Sequence, residues 1–242
     1  DLDTYAEYGI RNVTSFAAYI DDRYVQDYGE LDFLPEYGEG LNLCYSGPMM
    51  NPWGDSCEQT VTSVAVVGNT LRIHFDVTDT DLVYLDTLAT ERDLEVGDRV
   101  EVFFSKDPDM NDYVGFEVDP MGHVLSYRTA YYRKFEYLIA NLYDSNLDEL
   151  IKIFELLSEY KKVDSVGSFR NNSEDGYVAD VIVPMDFMSE FIKDGKVFMG
   201  LYRGDFRKDG DTIIEEWYTW KDSGTSEPDF HVPATLYEVS LF

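Results

Sequence analysis

The chain has 242 residues, 44% of them hydrophobic, which is enough for one sizeable domain with a full core. Its formal net charge is −29, from 48 acidic and 19 basic side chains, so nucleic acid and anionic membranes would be repelled. No run of about 18 apolar residues occurs, and we therefore expect no insertion into a membrane.

Residues 1–59 are predicted to form an irregular, acidic segment that packs on the domain formed by residues 60–242. Cys44 and Cys57 lie there in a stretch rich in Gly, Pro, Asn and Ser. Their closeness in such a stretch favours a disulfide that closes a hairpin-like flap, with two free thiols as the alternative. The sequence starts with Asp1 rather than Met, which we interpret as the removal of a signal peptide. Together these features favour a secreted, extracellular or cell-surface protein.

Short runs of alternating apolar and polar residues, separated by turn residues, follow from residue 60 onwards. In one of them Val100 and Val102 alternate with Arg99 and Glu101. The predicted strands cover residues 60–67, 71–77, 82–88, 99–104, 113–118, 123–129, 162–169, 177–183, 197–202 and 237–242. This spacing predicts a mainly β fold, an antiparallel β-sandwich of the jelly-roll or immunoglobulin-like type.

Residues 130–162 break the strand pattern and are predicted to form a helical insertion packed on the sandwich. Ser145 or Asn146 can cap a helix there, and an apolar stripe at helical spacing follows. A partner-binding hairpin is the alternative interpretation of this insertion. Pro184 is predicted to start a further short helix that ends at Gly195.

The order of motifs from residue 60 to residue 242 resembles that of the family 9-like carbohydrate-binding modules. The segments that carry the resemblance are DRVEVFF at residues 98–104, residues 113–122, residues 176–184, GLYR at 200–203, WYTW at 217–220 and PDFHVP at 228–233. The resemblance implies a β-sandwich from secreted proteins that act on polysaccharides. Members of that family hold a sugar end between two tryptophans, with polar groups beneath, and carry structural calcium.

The chain departs from the family pattern at the tryptophan pair. The resemblance places Glu101 at an acidic sugar-contacting position. Leu94 to Val96 stand where the first tryptophan is expected, the second falls near Phe230, and a basic position falls at Glu117. Sugar binding would therefore use other aromatic rings, such as Trp53, Tyr113, Trp220 and Phe230.

A sugar site needs an aromatic face for the C–H side of the sugar and polar groups for its hydroxyls. Two residues three apart in a strand lie on opposite faces, so one of Trp217 and Trp220 is expected in the core and the other at the surface. An ion pair of Arg203 with Asp205 or Glu101, and a loop-fixing role for His231, are the structural alternatives. The predicted carbohydrate-binding residues are Trp220, Phe230, His231, Glu101, Arg203, Asp229 and Tyr113.

These observations predict a non-catalytic carbohydrate-binding module that recognises a poly- or oligosaccharide at an aromatic-lined rim. The alternative is a structural subunit of an extracellular surface layer or filament, with self-assembly or attachment to a larger protein. No Ser-His-Asp, P-loop or His-rich metal pattern is present, so we do not expect an enzyme. Haem ligation by Met121 and His231 is a further hypothesis.

Clusters of aspartates predict structural calcium, because hard carboxylate oxygens suit this ion. The predicted ligands are Asp76, Asp79 and Asp81. A second cluster follows at residues 107–112. A solvated acidic turn is the alternative interpretation of both.

Overall fold

Two antiparallel sheets form the protein, according to a computed structural model that describes residues 41–54, 59–130, 158–159, 164–169, 176–210 and 212–242. The five-stranded sheet runs in the order β1 (Leu41–Pro48), β2 (Thr60–Val67), β3 (Thr70–Val77), β9 (Tyr177–Pro184), β8 (Asp164–Phe169). The seven-stranded sheet runs in the order β11 (Thr212–Thr219), β10 (Lys196–Asp209), β4 (Arg99–Ser105), β5 (Asp112–Val118), β6 (Val124–Ala130), β7 (Ser158–Glu159). The last strand of the chain, β12 (Tyr237–Ser240), joins this sheet by pairing with the first part of β10.

The period-2 alternation of each strand divides its residues between two faces of the sheet. On β4, Val102 and Phe104 point towards the facing sheet and belong to the core between the sheets. Residues from β3 and β9, such as Ile73 and Val181, meet them from the other side and are fully buried. The predicted antiparallel β-sandwich is therefore confirmed.

A second apolar cluster covers the outer face of the seven-stranded sheet, on the side away from the five-stranded sheet. A 3₁₀ helix (Glu91–Val96) contributes Leu94 to this cluster, and the loop between β11 and β12 contributes Phe230 and Leu236. A second 3₁₀ helix, Pro233–Thr235, lies in the same loop. The buried members are Leu94, Phe103, Met110, Tyr113, Leu125, Tyr127, Tyr202, Phe230 and Leu236. This face is thus a covered layer and not a bare solvent-exposed sheet.

Most predicted strands are present, but two stretches differ from the prediction. Residues 82–88 form no strand: Val83 exchanges backbone and side-chain hydrogen bonds with Asp98 instead of joining a ladder. Residues 41–48 were predicted to be irregular and instead form β1, which pairs with β2. The helix after Pro184 is one turn long, α1 (Met185–Met188).

The predicted helical insertion falls mainly on residues 131–157, which lie outside the described residues. Ser158–Glu159, at its predicted end, pair with Tyr127 and Arg128 of β6. The predicted disulfide also reaches outside the described residues, because Cys57 is not among them. Cys44 is a free thiol in the described part of the chain, and its Sγ lies 3.3 Å from the carbonyl oxygen of Asn42.

The described residues contain no helix of the length and apolarity that crossing a bilayer requires.

Candidate functional site

Three charged side chains lie on the outer face of the seven-stranded sheet, beneath its aromatic layer. Glu101 of β4 stands directly opposite Glu117 of β5, a cross-strand pair of like charges that is unfavourable by itself. Arg99 relieves this repulsion, because its Nε donates to Glu101 Oε1 at 3.1 Å and to Glu117 Oε2 at 2.7 Å. All three side chains are buried. We call Arg99, Glu101 and Glu117 the buried triad.

Burial raises the pKa of both carboxyl groups of the buried triad. Burial first, and the neighbouring Glu117 second, raise the pKa of Glu101 to about 8, against the opposing effect of Arg99. Burial also raises the pKa of Glu117. One guanidinium therefore faces two carboxyl groups that share a proton near neutral pH, which leaves the buried site close to electrical balance.

Aromatic rings lie above the buried triad. Phe230 stacks on Tyr202 with 4.4 Å between ring centroids, and it is buried. Trp53 and Trp217 pack against Phe230 at 6.1 Å and 5.5 Å, and both remain partly exposed. The guanidinium carbon of Arg99 lies 5.2 Å from the Trp217 ring, which joins the two layers by a cation–π contact. We call Trp53, Trp217 and Phe230 the aromatic rim.

Hydrogen bonds fix the loops that carry the rim. Trp53 Nε1 donates to the carbonyl oxygen of Thr225 at 3.0 Å, and its backbone N–H donates to Asn51 Oδ1 at 3.2 Å. Since its indole N–H is already used, the ring of Trp53 is held in place while part of it stays accessible. The arrangement is a partly exposed apolar surface over a buried layer of charged groups, and such a surface suits the apolar face of a ligand.

Three further predicted residues cluster beside the rim. His231 Nδ1 lies 2.6 Å from the hydroxyl of Tyr113, and the His231 backbone N–H donates to Asp229 Oδ1 at 3.0 Å. Tyr113 is buried, whereas Asp229 and His231 are half-buried. The contact with Tyr113 therefore agrees with the alternative interpretation, in which His231 fixes the loop. The Asp229 carboxylate reaches the surface next to Phe230.

Comparison with known proteins identifies the fold. No protein-family model and no curated protein matches the sequence. A proposed carbohydrate-binding protein from Bacteroides uniformis matches in structure with a TM-score of 0.53 and 15% identity, over 82% of this chain and 87% of that one. A family 9 carbohydrate-binding module from Caldicellulosiruptor kristjanssonii, solved with cellotriose, matches with a TM-score of 0.46 and 12% identity, over 88% and 90%.

The chain shares its fold with the Bacteroides uniformis protein. At this level of identity the likeness concerns the fold alone, and the residues of the site have to be argued from this chain's own geometry.

Two predicted sugar-contacting residues lie elsewhere in the fold. The Trp220 ring is 1% exposed, fills the core between the sheets and donates from Nε1 to the carbonyl oxygen of Thr235 at 3.0 Å. Arg203 is fully buried on the inner face of β10, where its Nη2 lies 2.8 Å from Asp79 and 3.4 Å from Asp205. Neither can meet a ligand at the rim, because the sheet itself separates them from it. The ion pair of Arg203 with Asp205 was the structural alternative to a sugar-binding role for Arg203, and it is present.

Trp217 and Arg99 were missing from the predicted site. Strand alternation could have identified Arg99 from the sequence, because Arg99 and Glu101 are two residues apart and therefore share the outer face. The expectation that Trp217 and Trp220 lie on opposite faces is correct. Only the choice of which one faces outward was wrong.

The structure also regroups the predicted calcium ligands. Asp79 lies with Asp98 and Asp205, and one oxygen from each falls within 4.8 Å of the others. Asp81 is exposed and contacts Asp79 through its backbone N–H at 3.0 Å. Asp76 belongs to β3 itself, three residues before Asp79.

The second aspartate cluster is a hydrogen-bonded turn. Asp107 Oδ1 accepts hydrogen bonds from the backbone N–H groups of Asp109 and Asn111 and from the Asn111 side chain. One oxygen with three donors stabilises the turn, which is the pattern of an Asx-type loop.

The haem hypothesis does not fit the geometry. His231 contacts Tyr113 at the start of β5, whereas Met121 follows Asp119 beyond the end of that strand. Six residues of extended chain separate Tyr113 from Asp119, or about 20 Å, so the two ligands cannot meet at one iron.

Proposed function

We propose that the protein binds a poly- or oligosaccharide at the aromatic rim, outside the cell and without catalysing a reaction. The observation that carries the proposal is the partial exposure of Trp53 and Trp217 where both pack against Phe230, above a buried set of charges. An indole face gains both hydrophobic and C–H contacts from a sugar ring.

A polar group suited to sugar hydroxyls lies beside the rim. The Asp229 carboxylate is half-buried next to Phe230. A carboxylate accepts hydrogen bonds from hydroxyl groups. The fold shared with a proposed carbohydrate-binding protein of Bacteroides uniformis supports the same class, by analogy alone.

Isothermal titration calorimetry with cello-, xylo- and pectin-derived oligosaccharides tests the proposal. We expect Trp53→Ala and Trp217→Ala each to lower the affinity for the bound sugar by roughly tenfold or more, since stacking on an aromatic ring contributes about 1 kcal/mol beyond its buried area. Phe242→Ala is the matched control, because Phe242 is an exposed ring at 76% that lies away from the rim.

Two results would contradict the proposal. One is the absence of heat and of any change in tryptophan fluorescence with the whole set of sugars. The other is a sugar that binds the wild type and both tryptophan variants with equal affinity, which would place its site elsewhere. Fractionation of the native cells tests the extracellular location separately.

A further inference from the structure

The charged groups beneath the aromatic rim are closed off from solvent and already bonded. Arg99, Glu101 and Glu117 are each exposed by 7% or less. Besides the bonds from its Nε to the two carboxylates, Arg99 donates from Nη1 to the carbonyl oxygens of Glu95 at 3.1 Å and Gly97 at 3.3 Å. The buried triad therefore satisfies its own members and does not reach a sugar hydroxyl above the rim.

Recognition of the end of a sugar chain depends on polar groups that touch that end. A terminal unit differs from an interior unit by its free terminal hydroxyl, and a site selects strongly for a hydroxyl only when it hydrogen-bonds that hydroxyl. All units of the chain share apolar C–H faces, which aromatic rings bind. The half-buried carboxylate of Asp229 beside the rim can accept from hydroxyls that recur on every unit. The sealed polar layer thus favours stacking on repeated faces over recognition of an end.

The sheet-facing side of Trp217 is covered. The guanidinium carbon of Arg99 lies 5.2 Å from the Trp217 ring centroid, and the ring of Phe206 meets it at 5.7 Å and 75°. Gly204 stands between Arg99 and Trp217 in the sheet, and a Cβ there would lie 3.2 Å from atoms of both side chains. Because this space is filled, a ligand has only the outward side of Trp217 on which to stack.

Phe230 occupies the space next to both indoles of the rim. Its ring centroid lies 6.1 Å from that of Trp53 and 5.5 Å from that of Trp217, and the ring is buried by stacking on Tyr202. The two indole centroids are therefore no further apart than the sum of these distances, which neighbouring units of one oligosaccharide can span. Since a buried ring joins them at their base and both stay partly exposed, they form two stacking surfaces side by side.

We propose that the aromatic rim binds interior units of a polysaccharide, with Trp53 and Trp217 stacking on different units of one chain. This inference rests on the proposed function of the rim and specifies which part of a sugar polymer the rim recognises. It differs from the tryptophan pair of the family 9-like modules, which holds a sugar end between its rings. The affinity should therefore grow with the number of sugar units, because a longer chain meets both indoles.

Isothermal titration calorimetry with cello-, xylo- and galacturono-oligosaccharides, each from the disaccharide to the hexasaccharide, tests the proposal. Each hexasaccharide is also measured after borohydride has reduced its terminal aldehyde to an alcohol, which opens the ring of the end unit. In a series that binds, the hexasaccharide should bind roughly tenfold or more tightly than the disaccharide. Reduction should change the affinity of the hexasaccharide by less than about twofold, since its interior units stay intact.

Trp53→Ala separates the two stacking surfaces. This variant should lose roughly tenfold in affinity for the hexasaccharide and less than about threefold for the disaccharide, because the short sugar can still stack on Trp217 alone. A slot that closes on one unit would lose the same factor for both lengths. Trp53→Phe keeps a ring and should retain most of the length dependence. Phe242→Ala, which removes an exposed ring away from the rim, should leave both affinities unchanged.

Three results would overturn the proposal while sugar binding at the rim stands. They are equal affinities for the disaccharide and the hexasaccharide, a loss of about tenfold or more on reduction of the end unit, and an equal loss for both lengths in Trp53→Ala. The absence of binding in all three series contradicts the proposed function itself, and this proposal fails with it. Should urea unfolding show that Trp53→Ala does not fold, the wild-type measurements and Trp53→Phe decide on the same criteria.

Discussion

Replacing Glu101 with Gln removes a titrating group from the buried triad while keeping a side chain of equal size that still accepts from Arg99. In the folded protein the pKa of Glu101 is about 8, because of burial and the charge of Glu117. In the unfolded chain it is about 4.3. The charged or titratable groups around it are Arg99, Glu117, Glu95, Tyr127 and Tyr202.

The sign of the effect follows from proton binding. Between pH 4.3 and 8 the folded state holds a proton at this site that the unfolded chain has lost, so stability falls as pH rises through this window. The slope is about 1.4 kcal/mol per pH unit for one proton. Glu101→Gln has no such proton to lose, so it should match the wild type near pH 4.5 and exceed its stability by a few kcal/mol at pH 8.

Urea unfolding at half-unit steps from pH 4.5 to pH 8 measures the difference in the free energy of unfolding. Glu227→Gln, which removes an exposed carboxylate, is the control and should follow the wild type across the range. Curves for the wild type and Glu101→Gln that run parallel over the whole window would refute the reasoning, because the triad would then hold no extra proton.

Two further predictions concern packing. Trp220→Ala should lower the free energy of unfolding by about 3–5 kcal/mol, because it empties a buried ring site, and urea unfolding measures this. The folded variant should bind sugar as the wild type does, and a selective loss of binding would contradict the assignment of Trp220 to the core. Gly115→Ala should cost about 1–3 kcal/mol, since its Cβ would lie 2.7 Å from the buried Tyr127 hydroxyl. In a Tyr127→Leu background the same change should cost less, and an unchanged cost in that double-mutant cycle would exclude the clash.

Local sequence determined the strands and the two faces of each strand. The alternation from Arg99 to Phe104 appears in the structure as an inner row of apolar side chains and an outer row that begins with Arg99 and Glu101. Turn residues such as Gly68 and Asn69 separated β2 from β3 at the predicted place. These features depend on the pleat of the backbone and on turn conformations, which are local properties of the chain.

Residues 82–88 show where local reasoning failed. Their composition suits a strand, but the backbone of Val83 bonds to Asp98 instead of to a neighbouring strand. The same carboxylate lies 108 residues from Phe206, which also bonds to it. A contact over such a separation depends on the order in which strands pair, and periodicity along the chain carries no information about that order.

The sequence by itself determined that Trp217 and Trp220 lie on opposite faces. Only the tertiary structure decided that Trp220 enters the core and that Trp217 reaches the rim. Likewise, an excess of aspartates was visible in the sequence, while the grouping of Asp79, Asp98 and Asp205 was not. The physical reason is the same in both cases: alternation distinguishes two faces, but the sheets and loops that pack on each face decide which one is covered and which side chains meet there.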